Sequence, residues 1–288
     1  MFIFGTIGIF RRFIPLPSGR IAFLRGTIGL IFLLLLVFIT GKKLNLKNIK
    51  KNLVLLLVSG AFIGFNWILL FEAYQYTTVA TATLCYYMQP IFVLLISPLV
   101  FREKLSIKKI CCTVIAFMGM ILISGVAGNG GVGFAELKGI LFGLGAALLY
   151  AAVVIMNKKL GEISAYEKTI VQLGASALVV LPYTLLVEAK GQEAVAPLTV
   201  VMIFIVGILH TGIAYALYFG SMDGLNAQTI AIFSYIDPVI AIILSAVILK
   251  EPMGIINLTG TVLVLGATFV SEFEFGKRYA KTNKNIPE

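Results

Sequence analysis

Two prolines, Pro90 and Pro238, interrupt long apolar runs, and each has polar residues at helical spacing around it. Tyr86, Gln89 and Ser97 share one helical stripe, and Ser234, Asp237 and Ser245 reproduce it later in the chain. A proline has no amide hydrogen to donate, so the carbonyls four residues earlier, at Tyr86 and Ser234, lose their helical partner. In lipid such a carbonyl needs another donor or a cavity. Two facing polar stripes would line a path through the molecule. The plainer alternative is that the kinks only shape helix packing, with the hydroxyls bonded to neighbouring helices. The path is the favoured reading for Gln89 and Asp237, and both readings stay open for the serines.

Asp237 is the sharpest of these residues, because a carboxylate deep in an apolar segment is costly and faces a cavity or a partner. It can hold a cationic group or exchange a proton; the structural alternative is an acid closed onto backbone donors. Arg25 sits a few residues into its apolar run, where a long side chain can snorkel to the interface, and this outranks solute binding unless the solute is anionic. Asn66, Trp67, Tyr215 and Tyr218 fall mid-run, where aromatic walls suit an amphipathic or aromatic solute. Aromatic packing or an interfacial belt is the ordinary alternative. His210, the single histidine, is expected to be a hydrogen-bonded packing residue in preference to a proton carrier. Glu72, Glu103 and Glu251 stand at run ends, where caps and ion pairs are the expected roles, and Gly139/Gly143 mark a close helix contact.

The elements that must position these residues follow from composition. The chain is 59% hydrophobic and 12% charged, with a mean hydropathy of +1.01, whereas a soluble domain is about half apolar and about a quarter charged. Its apolar runs approach the ~20 residues a helix needs to cross a bilayer. They are continuous and not alternating, which excludes a barrel of ~10-residue strands. The net charge of +10 lies in short connections between apolar runs, so it reads as a topology signal and not as a nucleic-acid surface. Cys85, Cys111 and Cys112 form no CxxC pair and read as small apolar fillers kept reduced. Arg11 and Arg12 follow the first apolar stretch instead of preceding it, which argues against a cleavable signal.

Runs bounded by charge or turn residues place helices near 1–14, 19–40, 53–73, 78–101, 108–127, 138–157, 168–187, 198–220, 227–249 and 254–272. The expected fold class is an all-α membrane protein of ten transmembrane helices. With the C-terminus inside, sixteen of the 23 basic residues fall on inner connections, so the positive-inside rule places both termini in the cytoplasm. Arg11, Arg12 and Arg20 run against this assignment. The first run holds only about ten apolar residues, half the length a span requires, while its counterpart around Leu141 to Met156 is full length. A start that omits part of the first helix is expected. A longer upstream reading frame would support it, and a ribosome-binding site directly before Met1 would contradict it.

Sliding the chain by 148 residues lays 70–124 on 218–272 without gaps. Phe71 meets Phe219, Thr81 meets Thr229, Tyr87 meets Tyr235, Pro90 meets Pro238, Ser97 meets Ser245 and Glu103 meets Glu251; Gly64 and Gly212 also coincide. Each unit holds an odd number of spans, so the second copy inserts upside down. The loop charges agree, with Arg102, Lys104, Lys108 and Lys109 against Lys250 alone. The repeats cover 1–130 and 131–273, followed by a basic cytoplasmic tail, 274–288, expected to be disordered. Inverted repeats with helix breaks at corresponding positions point to a secondary transporter.

Phe4-Gly5, Arg25-Gly26, the Gln89-Pro90 helix ending in Arg102-Glu103, and Asp237-Pro238 ending in Lys250-Glu251-Pro252 resemble the drug/metabolite transporter superfamily, in its EamA-like ten-span branch. The specific part is a proline followed about thirteen residues later by glutamate, present twice. Phe4 stands where many relatives have tryptophan. The resemblance implies two bundles around a central cavity that opens alternately to either side of the plasma membrane. The expected partners are the bilayer, a small solute (amino acid, amine, carboxylate or drug-like) and a coupling proton or ion, with a homodimer open as the assembly. Nucleic acid, cofactors and metals are not expected. An intramembrane enzyme is the competing class, but no HExxH, clustered His or Cys, or GxSxG occurs. A non-transporting membrane subunit is the third, and it would tolerate Asp237→Asn.

Overall fold

The computed structural model describes residues 1–7, 10, 14–77, 82, 85–102, 106–124, 134–188, 196–248 and 254–272. Their regular structure is helical: α1 Phe2–Gly5, α2 Ser18–Ile39, α3 Leu46–Tyr76, α4 Gln89–Phe101, α5 Ile107–Ser124, α6 Phe134–Lys159, α7 Ala165–Leu186, α8 Pro197–Ser221, α9 Ala227–Phe233, α10 Ile236–Ile248 and α11 Ile255–Glu272. Five of these, α2, α3, α7, α8 and the Leu137–Lys159 part of α6, are long and apolar enough to cross a membrane. Phe38, Leu99, Leu186 and Ile255 point outward and are exposed, as side chains facing lipid would be.

Local chemistry sets the boundaries. The third helix was expected from 53 but begins at Leu46, because the Asn45 side chain accepts the Asn48 amide at 3.2 Å and caps it. Lys47, Lys50 and Lys51 therefore belong to the first turns of α3 and not to a loop. Ser164 and Glu167 form a reciprocal capping box at the start of α7. The ninth run is two helices, α9 and α10, separated at Ser234-Tyr235, and the fourth is interrupted at Tyr87-Met88 before Pro90. Under the 148-residue offset the two breaks overlap at Tyr87 and Tyr235, one residue out of register.

Packing follows the same offset. α3 packs on α6 and α7, and α4 on α6; correspondingly, α8 packs on α2, and α10 on α1. Gly64 faces Val180, while Gly212, its counterpart, faces Phe32, the counterpart of Val180. Contacts exchanged pairwise in this way are what a two-fold axis between the repeats produces. Two bundles result, α3/α4/α6/α7 and α1/α2/α8/α10, with α9 packed against α4. The self-equivalent pairs α2·α7 and α5·α11 pack where such an axis would pass.

Small residues allow the close approaches. A Cβ added at Gly60 would lie 2.6 Å from the Gln172 carbonyl oxygen and 2.7 Å from the Ala175 Cβ, whereas one at Gly161 would meet nothing within 4 Å. Gly60→Val is expected to cost about 1–3 kcal/mol by forcing α3 from α7. Thermal unfolding in detergent checks this, with Gly161→Ala expected to leave the midpoint unchanged. Gly139 and Gly143 make the close contact expected of them, against Thr77 and against Cys85 and Ala82. The three cysteines are free, with Cys85 and Cys112 buried and Cys111 exposed.

Candidate functional site

Trp67 and Tyr215 stand 148 residues apart and touch: the indole Nε1 donates to the Tyr215 hydroxyl at 3.1 Å. Repeat-equivalent residues can meet only beside the axis that relates the repeats, so this bond marks the middle of the molecule between the bundles. Around it the rings interlock edge to face. Phe4 lies 5.4 Å from Tyr215 and 5.7 Å from Tyr218, and Trp67 lies 6.0 Å from Tyr215. Tyr86 and Tyr150 pack 5.9 Å apart. Phe4 reaches this cluster because Gly5 lets α1 lie against the α10 break; a Cβ there would be 2.6 Å from the Asp237 carbonyl oxygen.

Arg25 was expected to snorkel outward and does not. It is 5% exposed, its guanidinium lies 4.4 Å over the Trp67 ring, and its Nε donates to Thr211 Oγ1 at 3.0 Å. Burying an arginine costs several kcal/mol, and a desolvated cation–π contact offsets about 2 kcal/mol of it. Thr211 is presented by a π-helical stretch within α8, Val206–Ile213, where its hydroxyl also donates to the Val206 carbonyl, five residues back, at 2.9 Å. The wide turn lies flush against α2, since a Cβ on Gly29 would be 3.0 Å from the Gly207 carbonyl oxygen and 3.1 Å from the Gly212 nitrogen. π-Helical turns inside α-helices concentrate at functional sites. The equivalent stretch of α3 is ordinary α-helix.

Several buried polar atoms near this centre have no hydrogen-bond partner: Asn66 Oδ1, Gln89 Nε2 and Asp237 Oδ1, while the Tyr218 hydroxyl interacts with Ser234 and Tyr150. Asn66 and Gln89 are 1% and 3% exposed, and the Asn66 amide nitrogen donates to the Ala146 carbonyl at 2.6 Å. Unmade hydrogen bonds in such a place cost about 1–3 kcal/mol each; others occur elsewhere among the described residues, at Thr27, Thr113, Gln172 and Ser176, and those near the centre stand out by their neighbours. Tyr86, Tyr150 and Tyr215 lie within electrostatic range of both Arg25 and Asp237. A cavity of about 340 Å³ adjoins the cluster, lined by Phe4, Ala214, Tyr218, Ser221, Leu225 and Phe233 among others.

The other sequence candidates separate cleanly. Ser97 and Ser234 donate to the carbonyls of Leu94 and Ile230, at 3.3 and 3.0 Å; Ser234 also meets the Tyr218 hydroxyl. The Ser234 carbonyl, expected to be released by Pro238, accepts the Asp237 amide at 3.3 Å. His210 is fully buried and lies 2.6 Å from Thr6 Oγ1. Glu72 accepts the Tyr183 hydroxyl at 2.6 Å. Glu103, Glu251, Lys250, Arg11, Arg12 and the 274–288 tail lie outside the described residues, as do the side chains of Pro238 and Ser245.

Polar contacts tie the bundles at both ends. At one end the Glu188 carboxylate accepts the Gly19 and Arg20 amides at 2.7 and 2.8 Å, capping α2, while Arg20 donates back to the Glu188 carbonyl. Gly19 is small for this reason, since its Cβ would lie 2.9 Å from the carboxylate. At the lysine-rich end Lys158 donates to the carbonyls of Met222 and Leu225, just past the end of α8. A carboxylate at a helix N-terminus and an ammonium at a helix C-terminus both complement the helix dipole. Outside the membrane, Lys51 at 2.9 Å holds the Glu162 carboxyl below its ordinary range.

Comparison with known proteins places this arrangement. The profile of the EamA-like transporter family matches residues 1–125 and 137–273. An uncharacterized transporter of Bacillus subtilis (strain 168), YxxF, is 32% identical over 249 residues, covering 86% of this chain and 78% of the relative. A probable amino-acid metabolite efflux pump of Salmonella typhimurium (strain LT2) is 27% identical over 240 residues, with 80% of each chain covered. A solved crystal structure superposes with a TM-score of 0.81 over 94% of this chain and 93% of its own, at 16% identity, which speaks for the fold alone.

Proposed function

The chain belongs to the EamA-like transporter family, and from that premise we propose a secondary transporter that carries a small amphipathic metabolite by alternating access between its two bundles. The observation that carries the proposal is the Trp67–Tyr215 bond between the repeats, with unpartnered buried polar atoms on Asn66, Gln89 and Asp237 beside it. A site on the axis is equidistant from both bundles and can be uncovered from either side. The Glu188 and Lys158 contacts close opposite ends. Positive-inside counting makes the Lys158 end cytoplasmic with both termini inside; ten spans in the plasma membrane complete the reading, supported by the family. The relative described as a probable amino-acid metabolite efflux pump supports an amino-acid-like solute. Family membership favours transport over an intramembrane enzyme or a passive subunit.

The test is a solute screen in proteoliposomes with and without a pH gradient. Gradient-driven accumulation of a small metabolite is expected for the native protein. Gln89→Ala, which removes the unpartnered amide, is expected to reduce the rate about tenfold while leaving the thermal midpoint unchanged. Accumulation that ignores the gradient would reject proton coupling, and an unaffected Gln89→Ala rate would remove Gln89 from the site.

A further inference from the structure

Leu173 stands 148 residues after Arg25 and is fully buried. The second repeat therefore builds the same helical position without charge, so the architecture itself does not call for a cation there. Arg25 nevertheless carries its guanidinium into the centre of the bundle. Among the described residues it has no carboxylate partner, and its only hydrogen bond there runs from Nε to Thr211. Its two terminal nitrogens, the fork that matches carboxylate geometry, are left for something else.

We propose that Arg25 is the receptor for a carboxylate group on the transported solute, with Trp67 and Thr211 fixing the guanidinium and the tyrosine cluster covering the solute's apolar part. This rests on the transport reading above. The guanidinium carbon lies over the Trp67 ring and Nε is bonded to Thr211, which leaves the two terminal nitrogens for parallel hydrogen bonds to a carboxylate. One positive charge suits a monoanion. A phosphate ester would bring a second negative charge towards Asp237, which shares the neighbours Tyr86, Tyr150 and Tyr215 with Arg25. Phe4 and Tyr218 line the cavity, and Phe4 packs edge to face on Tyr215, an electrostatic neighbour of Arg25, so a solute entering from the cavity meets these rings on its way to the guanidinium.

Trp67 is the only tryptophan in the chain and touches the proposed receptor, so its fluorescence reports occupancy without a label. The full chain in nanodiscs is titrated with phenylacetate, with its neutral analogue phenylacetamide and with phenyl phosphate. Phenylacetate is expected to give a saturable change in emission, with the other two binding at least about tenfold more weakly. Arg25→Gln is expected to weaken phenylacetate at least about tenfold and leave phenylacetamide unaffected, while Arg25→Lys retains part of the preference. Should Arg25→Gln fail to fold, Thr211→Val tests the same geometry: it keeps the charge but frees the guanidinium, and is expected to weaken phenylacetate about threefold to tenfold while leaving phenylacetamide unaffected; an unchanged phenylacetate affinity would overturn the assignment. Equal binding of phenylacetate and phenylacetamide, an unchanged phenylacetate affinity in Arg25→Gln, or no response to phenylacetate up to about 10 mM would overturn the assignment. Gradient-driven transport of a solute that survives Arg25→Gln unchanged would overturn the receptor and leave transport standing. Arg25-dependent binding without transport of any solute would do the reverse.

Discussion

Asp237→Asn is expected to lower gradient-driven accumulation at least about tenfold while leaving the fold and solute binding in place. Asparagine keeps the shape and can still accept a hydrogen bond, but it carries no charge and exchanges no proton. The carboxylate lies at the α9/α10 break, one of its oxygens buried without a partner, and five tyrosines, Tyr86, Tyr87, Tyr150, Tyr215 and Tyr218, lie within its electrostatic range. An ionisable group held in this way inside a membrane is costly and is retained for a task. A structural acid would behave differently: the substitution would then lower the unfolding temperature and leave the coupling ratio alone. Accumulation with and without a pH gradient, measured beside thermal unfolding, separates the two.

The end contacts predict an opposed pair of effects. Lys158→Met removes the ammonium that closes the lysine-rich end, and Glu188→Gln removes the carboxylate that caps α2 at the other. Hydrogen bonds to charged groups are worth about 1.5–3 kcal/mol, so each substitution is expected to shift the balance of open states by about tenfold to a hundredfold, in opposite directions. The readout is alkylation by an impermeant maleimide of Ser221→Cys, which lines the cavity, in a Cys111→Ser background. Lys158→Met is expected to speed labelling from the lysine-rich side, and Glu188→Gln to slow it. Equal rates in both variants would show that the contacts are ornaments of the closed ends and not latches.

Much of this arrangement was legible in the chain because it rests on local chemistry. The 148-residue offset, the two proline breaks and the pairing of Trp67 with Tyr215 are all present in residue identities, and the structure turned the last from an alignment into a hydrogen bond. Asn45 as a cap also obeys a local rule, but the apolar run that signals a span begins only at 53, which hides the first turns of α3. Arg25 was misplaced for a different reason: distance along a helix says how far a residue lies from the interface, not what stands over it, and Trp67 is 42 residues away in sequence. The π-helical turn at Val206–Ile213 left only a faint trace, two glycines five apart around a threonine. Glu188 and Lys158 gave no signal beyond being charges at span ends, because their partners are backbone atoms of distant segments.

The central claim is that the two bundles open at one end while closing at the other. Paired spin-label distances in lipid test it without knowledge of the solute: Gly161→Cys with Gly224→Cys across the lysine-rich end, and Pro17→Cys with Leu137→Cys across the opposite end. The account predicts two distances for each pair, with the long distance at one end populated in proportion to the short distance at the other, and with Lys158→Met and Glu188→Gln moving these populations in opposite directions. A single distance at both ends, unmoved by either substitution, would contradict it.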